Sequence, residues 1–209
     1  MKDSAIIIRS LPYSDNTRIA KCFTAQHGVV PVYVRTPKKP TKTTNLMRSG
    51  SFVDLELKSS HGKNMYSLVD CKWNTRIPPS PLEGRAMIAW LLALELLAKS
   101  IPEELPLPDL HLSLCKYYVY LSEQTIQPTL LTPLVIISKG LGVSNCSSVS
   151  GINNQTLQQE LALFGITPEV GAEPLAHTNF KSAFYHELAL FQTHFGIAEV
   201  STLDLVVTE

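Results

Sequence analysis

The chain reads as an α+β protein: a five-stranded OB-fold barrel at the N-terminus, followed by an all-helical domain. Three observations predict this. Up to about residue 72, short β-branched segments alternate apolar and polar residues, the period of a strand. Three prolines then fall within Ile77-Pro78-Pro79-Ser80-Pro81, a stiff break in the pattern. Beyond it, apolar residues recur at helical spacing in segments long enough for several turns. The expected boundaries are residues 1–76 for the barrel, 77–81 for the linker and 82–209 for the helical domain. Hydrophobic residues make up 44% of the chain and charged residues 17%, a composition that buries a core rather than staying disordered.

The strands follow in order. Ser4–Ser10 is short and β-branched. Thr17–Thr24 ends in Cys22-Phe23-Thr24. Val29–Arg35 is the third, and its Pro31 marks an edge or a bulge. Ser51–Lys58 alternates cleanly, with Val53, Leu55 and Leu57 on one face and Phe52, Asp54, Glu56 and Lys58 on the other. Met65–Lys72 is the fifth, and His27-Gly28 and His61-Gly62-Lys63 mark tight connections. Closing into a barrel removes exposed strand edges. The long connection from Thr36 to Gly50, with room for a helical turn, favours the OB-fold over an SH3-like barrel.

Five helices are expected after the prolines. Leu82–Ser100 is apolar nearly all round and suits the centre of a core. Asp109–Glu123 and Leu130–Gly142 follow, the latter ending on glycines suited to a C-cap. Asn153–Phe164 carries Thr156 and Gln159 at capping-box spacing, with Asn153 and Asn154 as alternative caps. Phe180–Phe195 repeats Phe180, Phe184, Leu188 and Phe191 on one stripe.

The motifs of catalysis are missing, and an enzyme is not expected. His186-Glu187 begins like a zinc-protease motif, but residue 190 is Leu. Gly140-Leu141-Gly142 lacks the rest of a dinucleotide fingerprint, and there is neither a phosphate-binding loop motif nor a nucleophile elbow. Cys22, Cys71, Cys115 and Cys146 are widely separated, which fits reduced thiols better than a metal site or a disulfide framework. Neither metal nor cofactor is expected. The apolar run Met87–Ala98 is too short to span a membrane, and a cytoplasmic, nucleoid-associated location is expected.

The positive signal is charge. The whole chain is neutral, with 18 Lys+Arg and 18 Asp+Glu. Residues 1–80, however, hold thirteen basic and five acidic side chains, a net of +8, and residues 81–209 carry −8. That asymmetry points to a polyanion as the partner of the first half. Arg35, Lys38, Lys39, Lys42 and Arg48 cluster in or beside the long connection, and Arg9, Arg18 and Lys21 come from the first two strands. Cations spaced along a groove suit phosphates. Tyr13 is a candidate to stack on a base, whereas Tyr33 reads more readily as barrel core. The alternative is an adaptor whose basic barrel docks an acidic protein partner.

The order of these features resembles the bacterial recombination mediator family RecO. The resemblance lies in Ile6–Ser10, then Leu11-Pro12-Tyr13-Ser14-Asp15, Cys22-Phe23-Thr24, His27-Gly28 and the basic Arg35-Thr36-Pro37-Lys38-Lys39. Ser138-Lys139-Gly140-Leu141-Gly142, Tyr185-His186 and Thr202-Leu203 extend it toward the C-terminus. It implies an OB-fold joined to a helical domain. It also implies binding of single- and double-stranded DNA, strand annealing, and work with a RecR-like protein to load recombinase on coated strands. By position, the family's DNA surface falls on Arg9, Arg18, Arg35, Lys38 and Lys39. The resemblance further implies contact with the acidic tail of single-stranded-DNA-binding protein, for which Lys139, with Lys116 on the preceding helix, supplies basic residues. Many relatives carry a four-cysteine zinc module in the helical domain. Here Cys146 stands alone in that region, so no zinc is expected.

Overall fold

A computed structural model of the chain describes residues 1–36, 45–59, 65–77, 79–123, 128–143, 155–166 and 180–202. They divide into two compact units: Met1–Pro81 with Ser100–Leu112, and Leu82–Lys99 with Ser113–Glu209.

The first unit is a closed barrel of β1 (Lys2–Ser14), β2 (Thr17–Thr24), β3 (Gly28–Arg35), β4 (Phe52–Ser59) and β5 (Tyr66–Trp73). The strands run β1-β2-β3-β5-β4 around it, and β4 returns to β1. All neighbours are antiparallel except β3 and β5, which close the barrel through the short parallel pairing of Val32 with Tyr66 and Tyr33 with Ser67. This is the OB-fold. Pro31, which can donate no ladder bond, stands just before that pairing.

Alternation decides what fills the barrel. Ala5, Ile7, Ala20, Cys22, Val30, Val32, Val34, Val53, Leu55, Leu57 and Cys71 form the interior cluster. Leu46 and Met47 join it from the connection before β4, where Asn45 and Leu46 form the expected helical turn. Asn74 fixes the chain as it leaves β5: its amide donates to Ser4 Oγ at 3.0 Å and to Asp54 Oδ1 at 2.8 Å. Its carbonyl oxygen accepts from the Arg76 and Ile77 backbones.

The alternation also carries Ile6, Phe23, Val29 and Phe52 to the outside of one end of the barrel, yet all four are buried. Residues 100–112 cover part of this row. Glu104 N–H donates to Val29 O at 3.0 Å, and His111 packs on Phe23 with ring centroids 5.4 Å apart. Prolines 102, 106 and 108, which the sequence presents as helix breakers, therefore shape a segment that serves the barrel.

β1 is longer than the expected Ser4–Ser10 and runs on to Ser14. Its register against β2 shifts between Ile7 and Arg9 and again between Pro12 and Ser14. Bulges of this kind let the strand curl and pass Pro12 without ending. Leu11-Pro12-Tyr13-Ser14 therefore continues the strand past its expected end at Ser10.

The helices are α1 (Gly84–Ser100), α2 (Pro108–Glu123), α3 (Leu131–Gly140), α4 (Gln155–Leu163) and α5 (Phe180–Phe195). In the second unit, α3 is buried from Leu131 through Ser138 and ends as its glycines suggest, with Gly142 at φ +71° after the cap residue Leu141. α4 begins at Gln155, which places Thr156 inside its first turn rather than at the cap; Asn153 and Asn154 lie outside the described residues. Glu160 of α4 is fully buried and accepts hydrogen bonds from Tyr120 Oη (2.9 Å), Thr129 N (3.2 Å), Thr129 Oγ1 (2.6 Å) and Thr132 Oγ1. The α3 N-cap, Leu130, offers no side-chain cap, so this carboxylate meets the donors at that helix N-terminus. Glu95 of α1 acts similarly on the last described segment, accepting from the backbones of Ser201 and Thr202, each at 2.7 Å, and pairing with Lys99 at 2.8 Å. Burial would raise its pKa, but these donors hold it down at about 2.

Candidate nucleic-acid interface

The outward side of β1, β2 and β3 is organised in cross-strand rows. Arg9 pairs with Lys21, and Lys21 with Pro31. One step along, Leu11 pairs with Ile19, Ile19 with Tyr33, and Tyr33 with Ser67. A further step brings Thr17 beside Arg35. Because outward positions recur every second residue, successive rows lie about 6.7 Å apart along the strands, and neighbouring side chains in a row about 4.8 Å apart. Cations therefore flank an apolar and aromatic row on both sides. Arg9 and Arg35 are exposed, and Lys21 is half-buried.

Tyr33 was expected in the core and is not there. Val30, Val32 and Val34 take the inward positions of β3, leaving Tyr33 outward and half-buried. The alternation of Val29–Arg35 carried that signal, but aromatic character outweighed it in the sequence reading. Leu11 and Ile19, the row's apolar members, are not a row in the sequence, because Leu11 lies beyond Ser10, the expected end of the first strand.

The other expected residues distribute unevenly. Tyr13 is 69% exposed near the end of β1, beside the second register shift. Arg18 faces the opposite way from Arg9 and Lys21. Its Nε donates to Ser10 Oγ at 3.0 Å and its Nη2 to Ser10 O at 2.7 Å. It stands opposite Pro12, which has no N–H, and so ties β1 to β2 where the ladder is weakest. Arg48 is exposed on the turn before β4 and donates to Asn45 Oδ1 at 3.1 Å. Lys38, Lys39 and Lys42 lie outside the described residues. On the helical unit, Lys116 is exposed on α2, and Lys139 is exposed at the end of α3 with Nζ 3.2 Å from Gly165 O.

The far side of the barrel differs in charge. Lys2, Asp54, Glu56, Asp70 and Lys72, outward on β1, β4 and β5, line a groove of about 340 Å³ together with Asp3 and Leu55. Both of its lysines are matched: Lys2 lies 3.4 Å from Glu56, and Lys72 lies 3.2 Å from Asp70. The hydrogen bond from Lys72 holds the Asp70 carboxyl below its ordinary range. A polyanion meets carboxylates here and cations on β1–β3.

Burial pushes the Cys71 and Cys115 thiols up to about 12 and the Cys22 thiol higher still. Among the described residues, no group of three or more His, Cys, Asp or Glu side chains stands close enough to hold a metal ion. Among them, too, no helix is long and apolar enough to cross a membrane.

The barrel is also recognisable by comparison. Residues 1–75 match the family model described as recombination protein O, N terminal. The N-terminal barrel is therefore similar to the N-terminal domain of recombination protein O. The match covers all five strands of the barrel and ends just before the proline-rich stretch, and a domain of this kind supports a role in recombination and repair. No curated protein matches the chain.

Proposed function

We propose that the chain is a non-catalytic, DNA-binding recombination mediator. It binds and anneals single strands and helps load recombinase on strands coated by single-stranded-DNA-binding protein. The observation that carries this reading is the set of rows on β1–β3, which brings Arg9, Lys21 and Arg35 to one outward side of the RecO barrel. Phosphates bind such a face by releasing counterions, so affinity falls steeply with salt. Lys38, Lys39 and Lys42 extend the cationic sequence directly after β3, and Tyr13 and Arg48 are further candidates near the same strands. In this reading the helical unit recruits partners, with Lys116 and Lys139 facing the acidic tail of single-stranded-DNA-binding protein and a RecR-like protein completing the assembly. Its working place is then the cytoplasm, with the nucleoid.

The test is fluorescence anisotropy of the full chain with a labelled single-stranded oligonucleotide across a salt series. Micromolar or tighter binding that weakens with salt is expected, and Arg9→Glu with Arg35→Glu should abolish it. No binding at low salt would overturn the reading. Self-association lost on charge reversal at Lys38 and Lys39, without DNA binding, would instead favour an adaptor that docks an acidic protein.

A further inference from the structure

One surface row of α1 changes character halfway along the helix. Met87, Leu91, Glu95 and Lys99 fall four residues apart, so they line up along one side with about 6 Å between neighbours. The charged half of the row is occupied. Lys99 Nζ donates to the backbone oxygen of Glu199, and Glu95 accepts from the Ser201 and Thr202 backbones, each at 2.7 Å. Val200 and Thr202 are themselves buried. The apolar half of the row is open: Met87 is 39% exposed and Leu91 37%. Helix and following segment belong to the same compact unit.

These contacts give the returning chain a direction. It meets Lys99 at residue 199 and Glu95 at residues 201 and 202, so it advances along the row toward the start of α1. Leu91 and Met87 are the next two members, about 6 and 12 Å beyond Glu95. The described residues end at Thr202, and four of the next five, Leu203, Leu205, Val206 and Val207, are apolar. Five residues reach up to about 17 Å.

We propose that Met87 and Leu91 are the seat of residues 203–207 of the same chain, which continue the contact begun at Lys99 and Glu95 and close over the apolar half of the row. Three features favour this occupant over a second copy or another protein. The chain is already anchored one helical turn away, so seating its next residues costs less entropy than capturing a separate molecule. The order of the chemistry matches, with backbone groups of residues 199–202 on the charged half and an apolar run arriving at the apolar half. The area matches too. Two side chains with less than half their surface exposed offer far less than the roughly 800 Å² that each partner contributes to a stable interface between separate molecules.

The test replaces Leu91 of the full chain with the photoreactive residue benzoylphenylalanine and identifies the cross-linked peptide by mass. The expected product runs at the mass of one chain and joins position 91 to the peptide that holds residues 203–207. A product at twice that mass would put a second copy on the row and overturn the proposal, as would a product joined only to another segment. A second measurement reads the same contact without a probe. Removing residues 203–209 should lower Tm by about 2–6 °C. In a Met87→Gln, Leu91→Gln background the same removal should change Tm by less than about 1 °C, because the two changes delete one contact. Equal losses in both backgrounds would mean that residues 203–209 pack elsewhere, and no loss in either would mean that they pack nowhere. Each result would overturn the proposal.

Discussion

Gly28 holds a left-handed backbone at φ +71°, and a Cβ built on it would lie 2.1 Å from the Leu105 carbonyl oxygen. Two costs therefore meet at one residue: strain for any L side chain, and expulsion of residues 100–112 from the barrel. Gly142 has the same φ with open space around it, so alanine there meets only the first. Gly28→Ala should cost about 3 kcal/mol, against about 1 kcal/mol for Gly142→Ala. Calorimetry of the full chain should show Tm falling by about 6–12 °C for the former, and equal losses would refute the close approach as the cause. His111, on the same covering segment, makes a second prediction. Burial lowers its pKa from 6.5 to about 4, only partly opposed by the nearby Asp3 carboxylate. A folded pKa below the unfolded one means that the unfolded chain binds the proton more readily. Stability from neutral His111 is thus complete above pH 6.5 and drains away as pH falls toward 4, by roughly 3 kcal/mol at most. Urea melts of wild type and His111→Leu should diverge in slope across that window, and parallel curves would refute the assignment.

At the scale of elements, the face on β1–β3 follows from period-two alternation, which is why so much of it was legible in the sequence. All five strands were, because each alternates and each is bounded by turn residues. The end of β1 was not, because Pro12 reads as a stop, and the bulges that carry the strand past it leave no sequence mark. Residue type points Tyr33 to the core, but a strand assigns faces by parity alone. The same logic orders the cations. Arg9 and Arg35 are exposed on the outward rows, whereas Arg18 is held by Ser10 on the other side of the strand. Replacing Arg9 or Arg35 with Ala should lower the salt slope for a single strand by about 0.7 each. Arg18→Ala should leave that slope unchanged and lower stability instead, by about 1 kcal/mol. Salt titrations with matched melts separate the two, and an equal slope change at all three would refute the division. In the helical unit, Glu160 takes its four hydrogen bonds from Tyr120 on α2, from Thr129 two residues before α3, and from Thr132 on α3 itself. Glu160→Gln removes the charge that these donors point at and forces a hydroxyl to turn and accept from the amide, and should cost about 2–3 kcal/mol, read as a lower midpoint in urea with the m-value preserved.

The largest feature hidden from the sequence belongs to the whole molecule. The proline cluster at residues 78–81 reads as the end of the barrel, yet residues 100–112 return to the barrel's unit after a complete helix. Periodicity reports only local structure, so no pattern in residues 100–112 could announce that they pack on Phe23 and Val29, about 80 residues earlier in the chain. The outward row of Ile6, Phe23, Val29 and Phe52 was the available hint: a strand apolar on both faces needs a cover from elsewhere. This has a consequence for how the barrel is isolated. A fragment of residues 1–81 leaves that row without the His111 and Glu104 contacts, and four large apolar side chains then face water or another copy. Such a fragment should bind a hydrophobic dye and self-associate, and adding a peptide of residues 100–112 should reduce both. Light scattering and dye fluorescence of the fragment with and without the peptide check this. Equal behaviour would mean that residues 100–112 add nothing to the barrel, and the low exposure of its outer row would need another cause.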